Sequence, residues 1–241
     1  VSTIRKARLQ VPVEMSVQVL PAIFPQGDDR LLSQTLLKVD QARSGIDFCG
    51  ETLVLCVSTV FALYEAVVLR KPLTERVVTI AGDAVNQAKN LRVRIGTPIS
   101  WILEECGGLK YMPDRIVVGG PLTGHTIIDP DTPVTKRTRA ILALGAAEVH
   151  HVRSLPCVRC GICVRICPAG LQPLTLAKLV GKGELERARS EDIDLCSECG
   201  LCSFACPSRV PLVQIIREGK ARVNSRNTEN ERMTPWPSQV C

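Results

Sequence analysis

Two stretches of this chain repeat one cysteine pattern, and no other feature limits its fold as tightly. The first reads Cys157-Val-Arg-Cys160-Gly-Ile-Cys163-Val-Arg-Ile-Cys167-Pro168. The second reads Cys196-Ser-Glu-Cys199-Gly-Leu-Cys202-Ser-Phe-Ala-Cys206-Pro207, and both are C-x2-C-x2-C-x3-C-P. Three thiolates at this spacing can close around one face of a [4Fe–4S] cube. The fourth, turned away by the proline after it, is left to ligate a second cube. By that rule one cluster takes Cys157, Cys160, Cys163 and Cys206. The other takes Cys196, Cys199, Cys202 and Cys167.

Structural zinc fits the pattern less well, because it is usually held by two separated ligand pairs, often including histidine. Disulfides suit small secreted domains, whereas this chain opens without a signal-peptide pattern and is long enough for a core of its own. Gly161 and Gly200 let the backbone bring N–H groups close to sulfide. Val158, Ile162, Ile166, Leu195, Leu201 and Phe204 would exclude water and help set the potential.

With 241 residues, one or two domains and a small third are expected. The net charge of +6 is modest, with basic residues gathered at Arg5, Lys6 and Arg8 and again from Lys220 to Arg232. It favours an acidic partner or an anionic membrane surface. At 3% aromatic residues there is no stacking platform for nucleic acid. Leu53 to Val68 is too short to span a bilayer and contains Glu65. Oxygen-sensitive clusters and free thiols place the chain in a reducing compartment, the cytosol. The start at Val1, directly into structured-looking sequence, reads as a fragment or a shifted start.

Residues 1–73 are expected to alternate strand and helix. Val17 to Leu20 reads as a strand, and Asp28 or Asp29 as the cap of a helix to about Lys38. Leu53 to Val57 reads as a strand buried on both faces. Ser58 reads as the cap of a helix that is apolar all round and therefore buried. That order describes the C-terminal part of a Rossmann-like α/β domain. Residues 74–130 predict a β-grasp module. Val77 to Ile80 forms a strand, and Leu91 to Ile95 alternates apolar and charged residues as a second. Thr97-Pro98 opens a helix carrying Ile99, Ile102, Leu103 and Cys106 on one face, stopped by Gly107. Ile116 to Val118 returns as a strand. Residues 131–152 read as a linker, 153–218 as a mostly helical dicluster 4Fe–4S domain, and 219–241 as a disordered tail. The fold class is thus α/β plus α+β.

Outside the motifs, Cys56 and Cys106 occupy apolar positions and read as small core residues. Cys49 and Cys241 have no assigned role. His125, His150 and His151 read as surface histidines. Gly119-Gly120-Pro121-Leu122-Thr123-Gly124 reads as a tight turn, though its glycines also allow a cofactor or partner to approach the backbone. No catalytic triad and no dinucleotide fingerprint is visible.

Several stretches resemble the C subunit of the Rnf-type ion-translocating electron-transport complex. They are Phe24-Pro25-Gln26-Gly27, Glu75 to Asp83, Arg92 to Ile99, and Gly119 to Gly124, together with the twin cysteine motifs. The resemblance runs from about residue 10 to 215 and covers the second half of a typical member. It implies an electron-transfer subunit at the cytoplasmic face of the membrane, bound through other subunits. Single electrons would pass between NADH and FMN chemistry and membrane-bound or ferredoxin partners. The flavin- and NADH-binding segment of the family lies upstream of Val1, so neither FMN nor NADH is assigned a residue here. Cobalamin reductases of microcompartments share the plan, and a non-catalytic relay or docking module remains the other alternative.

Overall fold

A computed structural model describes residues 16–37, 53–147, 149 and 153–233, with side chains as far as 225. The chain divides into two compact units, Val1–Asp47 and Phe48–Cys241. In the first, Asp28 accepts hydrogen bonds from the backbone N–H groups of Arg30 and Leu31 and so caps helix α1, Asp29–Leu37. The expected strand at Val17 to Leu20 does not form.

The second unit opens with helix α2, Val57–Val67, and three expectations fail there. Residues 53–56 are not a strand. The N-cap is Cys56 rather than Ser58. The helix buries none of its residues, and Val57 is 86% exposed. A helix apolar on every side becomes core only when a second layer covers it. With neither expected strand formed, among the described residues it has no such layer.

Five strands follow in one mixed sheet: β1 (Glu75–Ala81), β2 (Lys89–Arg94), β3 (Arg115–Val118), β4 (His125–Ile127) and β5 (Ala140–Leu144). The order is β2-β1-β5-β3-β4. β5 runs parallel to β1 and antiparallel to β3, so the segment expected to be a linker supplies the central strand. Its residues are apolar without alternation, yet their burial alternates: Ile141 and Ala143 are fully buried in the core, and Ala140, Leu142 and Leu144 are half-buried. Helix α3, Ile99–Glu105, lays Ile99, Ile102 and Leu103 against Val78, Ile80 and Ile141 in the same core, with Cys106 just beyond its end. Each such aliphatic side chain contributes about 1.5–3 kcal/mol by leaving water.

The remainder is helical: α4 (Ile162–Arg165), α5 (Pro173–Gly181), α6 (Leu185–Ser190), a 3-10 turn at Ile193–Leu195, α7 (Leu201–Phe204) and α8 (Leu212–Met233). Residues 219–233, expected to be tail, continue α8. Leu212, Ile216, Gly219 and Val223 recur at four-, three- and four-residue steps and put one stripe against the core. Gly219 does not stop the helix; it lets α8 close on α5, since a Cβ there would meet Val180 Cγ2 at 2.3 Å. Among the described residues no helix is long and apolar enough to cross a membrane.

Candidate metal centres

The two motifs repeat in three dimensions as they do in sequence. The second residue after each leading cysteine is left-handed, with φ of 55° at both Arg159 and Glu198. Gly161 and Gly200 follow in the same region and open the one-turn helices α4 and α7. Past each proline the pattern recurs, at Gly170 and Arg209. These turns wind the chain around a centre and aim N–H groups at sulfur. Arg159 N–H donates to Cys157 Sγ at 3.4 Å, and the N–H of Glu198 serves Cys196 in the same way.

The eight motif cysteines fall into two groups of four. Cys157, Cys160, Cys163 and Cys206 line one cavity of about 200 Å³, walled by Val158, Val164, Leu174 and Val210. Cys196, Cys199, Cys202 and Cys167 line a second, tighter one of about 20 Å³, walled by Leu171, Leu176, Val213 and Ile216. Each group joins three cysteines of one motif to the last cysteine of the other, and all eight are free thiols. Among the described residues, no three His, Cys, Asp or Glu side chains converge closely enough to hold a single metal ion. The first cavity, at about 200 Å³, has room for a body larger than one ion. Four sulfur donors, apolar walls and inward N–H groups fit a [4Fe–4S] cluster.

Burial pushes the thiols of Cys163, Cys196 and Cys202 upward, Cys202 to about 11. A thiol so enclosed stays protonated at neutral pH unless a cation takes the proton's place, as iron does. The two groups differ in exposure. Cys157 and Cys160 stand exposed, with Leu155 and Val158 beside them at 58% and 68%. Cys202 is buried.

The second group is held by residues the sequence did not single out. Glu198 accepts from Arg217 Nε at 2.8 Å and lies 3.5 Å from Lys220 Nζ. Lys220 also donates to the carbonyl of Cys196 at 2.7 Å. Arg217 and Lys220 sit one turn apart on α8, and Lys220 belongs to the segment whose polar composition reads as tail. Arg217 reaches further, to the carbonyl of Thr123 at 3.4 Å. The glycine-rich loop between β3 and β4 is thus a tight turn, closed by Gly124 N–H to the Gly120 carbonyl at 2.7 Å. It is also a docking element, and what approaches its backbone is the chain's own second motif. A Cβ on Gly200 would lie 2.6 Å from the Leu122 carbonyl, so only glycine fits.

Elsewhere, Cys106 is core as expected, but Cys56 is not. Its sulfur lies 3.2 Å from Ser58 Oγ and 3.1 Å from Thr59 Oγ1, with Arg139 Nη2 at 3.5 Å. Those hydroxyls, with the Thr59 N–H and then the Arg139 charge, hold the thiol down to about 6. Cys49, Cys241, His150 and His151 lie outside the described residues, and His125 is exposed on β4.

Known families match the two modules in the same order. Residues 77–125 match the SLBB domain and residues 153–210 the 4Fe-4S dicluster domain. A Rhodobacter capsulatus protein, named as the C subunit of the ion-translocating oxidoreductase complex, is 37% identical over 212 residues. The match takes in 88% of this chain and 41% of that protein's length. This stretch of chain is homologous to the C subunit of the Rnf-type complex. The corresponding C subunits of Erwinia tasmaniensis and Yersinia pestis agree, at 36% identity over 96% of the chain and 37% over 91%. The chain spans 29% and 36% of the length of these two relatives. Both cysteine motifs fall within the dicluster match, and the docking loop from Gly119 to Gly124 within the SLBB match.

Proposed function

We propose that this chain holds two [4Fe–4S] clusters and conducts single electrons within an Rnf-type membrane-associated oxidoreductase complex. One cluster would sit on Cys157, Cys160, Cys163 and Cys206, the other on Cys196, Cys199, Cys202 and Cys167. The observation that carries the reading is the crossed grouping of eight free thiols around two apolar-walled cavities, in a stretch homologous to the Rnf-type C subunit. Such clusters, when bound, take up and release one electron at a time. The chain's own residues do the rest. The thiols ligate, the Arg159 and Glu198 N–H groups stabilise charge on sulfur, and Leu171, Leu176, Val213 and Ile216 keep water from the second group.

In the whole protein, electrons would pass between NADH and flavin chemistry and membrane-bound or ferredoxin partners, through other subunits at the cytoplasmic face. No residue of this chain is assigned to FMN or NADH. The names of the relatives favour neither a cobalamin reductase nor a relay outside such a complex. We read the sheet and α3 as a β-grasp module of the soluble-ligand-binding type, supported by the SLBB match and by the helix packed into the core of a mixed sheet. The Rossmann-like reading of the segment before residue 74 keeps only helical support, α1 and α2, and is carried no further.

Anaerobic reconstitution tests the central claim. The chain should bind about eight iron atoms, and Cys199→Ser should keep roughly half of them with one of two reduced-state electron paramagnetic resonance signals. Fewer than about four iron atoms in the unaltered chain, or zinc in their place, overturns the reading.

A further inference from the structure

The two thiol groups differ in what surrounds them, and the difference assigns them different neighbours. Around the first group lies an exposed apolar patch of Leu155, Val158 and Val164. Arg159, Val164 and Ser208 line the first cavity, Arg165 and Arg209 directly follow the last two in the chain, and Leu155 N–H donates to the Ser208 carbonyl at 2.9 Å. All three arginines are exposed, and among the described residues none makes an ion pair. No Asp or Glu occurs between residues 153 and 183, nor between 200 and 217. The second group has the reverse character. Acidic residues precede it at Glu191, Asp192 and Asp194, and Glu198 within it is neutralised internally by Arg217 and Lys220. The loop of Leu122 and Thr123 covers it.

Resting on the two-cluster reading above, we propose that the first group is the port through which electrons enter or leave this part of the chain. Its apolar centre and arginine rim are the docking surface for an acidic one-electron carrier protein. An unpaired cationic rim around an apolar centre is complementary to a protein with an acidic rim, and such pairs steer encounter without locking the complex. Electron tunnelling decays steeply with distance, so the exposed thiols of Cys157 and Cys160 mark where two centres can approach. The second group, with Cys202 buried and its other three cysteines half-buried, is the inner station. The exchange moves one electron between the first centre and the partner's centre, oxidising one and reducing the other, with no bond or proton transferred. An anionic membrane would also be drawn to the arginines, but it would cover the port without exchanging an electron there, so a protein occupant is favoured.

The test uses the full iron-loaded chain and a purified acidic [4Fe–4S] ferredoxin as probe, titrated anaerobically by calorimetry at low and high salt. Binding is expected at low salt and should weaken as the Debye length shrinks from about 30 to 10 Å. The double variant Arg165→Glu, Arg209→Glu should weaken it roughly tenfold or more, and Arg209→Gln alone by less. Lys110→Glu, on the sheet module, should leave it unchanged. Iron content and both resonance signals should survive in every variant. Binding that ignores the charge reversals or the salt overturns the proposal. So does binding to phosphatidylglycerol vesicles, lost in the double variant, with none to the ferredoxin. Failure of the unaltered chain to take up iron is a separate result, and it strikes the two-cluster reading itself.

Discussion

Arg159 and Glu198 occupy the same place in the two cysteine motifs, share a φ of 55°, and carry opposite charges. The backbone needs the left-handed turn at both positions, whereas the side chain is free to differ. Arg159 stands exposed beside the first thiol group. Glu198 is half-buried beside the second and takes Arg217 and Lys220 as partners. The repeat therefore keeps its geometry while it breaks electrostatic symmetry, and the two clusters proposed here would not need to share one potential.

Removing the cation that balances Glu198 exposes this difference. Arg217→Ala should leave a less compensated carboxylate near the second group and make it harder to reduce. A potential lowered by roughly 30–60 mV, about a three- to tenfold change in reduction, is expected. The first group should be unchanged. A redox titration followed by electron paramagnetic resonance checks both.

Equivalent glycines should respond unequally. Gly200→Ala places a Cβ 2.6 Å from the Leu122 carbonyl on a residue with φ of 82°, whereas Gly161, with φ of 72°, has open space around it. Gly161→Ala should cost about 1–2 kcal/mol from the left-handed conformation alone. Gly200→Ala should cost roughly 1–3 kcal/mol more, because the sheet loop must withdraw. Thermal unfolding midpoints, falling about 2–4 °C per kcal/mol, resolve the two.

Hydrophobicity should predict stability at β5 and mislead at α2. Ile141→Ala removes a fully buried side chain and should cost about 2–5 kcal/mol. Phe61→Ser, at a position 53% exposed, should change unfolding by no more than about 0.5 kcal/mol. Urea unfolding followed by circular dichroism measures both.

Cys56 should react at lower pH than Cys202 in the metal-free chain. Its hydroxyl neighbours favour the thiolate, so alkylation by iodoacetamide should rise as pH passes about 6 and level off above it. Cys202, raised to about 11 by burial, should remain unmodified over that range. Ser58→Ala should move the Cys56 midpoint upward, and mass spectrometry of the labelled peptides reads each site.

Information carried within a few residues was legible in the residues alone. Ile99, Ile102 and Leu103 announced α3, the alternation from Leu91 to Ile95 announced β2, and of the two cap candidates Asp28 and Asp29 the first caps the helix. The tail and linker readings failed for a common reason. Ala140 to Leu144 is strand only because β1 and β3 flank it, and α8 beyond Gly219 is helix because α5 waits to receive its stripe. Polar composition and a glycine said nothing of either partner. The surface of α2 was misread in the opposite sense, since an apolar helix needs a covering layer as well as an apolar sequence.

Sequence alone determined the proposed donor set and, through the motif rule, its crossed grouping, because ligand type and a spacing of two or three residues are properties of a short local segment. It also determined the glycines beside the thiols. Tertiary structure decided which group is the more enclosed and which faces solvent. It also decided that Arg217 and Lys220, some twenty residues downstream, would neutralise Glu198. Those outcomes depend on how helices and a sheet loop pack across long separations, where contact energies are set by shape and burial rather than by neighbours along the chain.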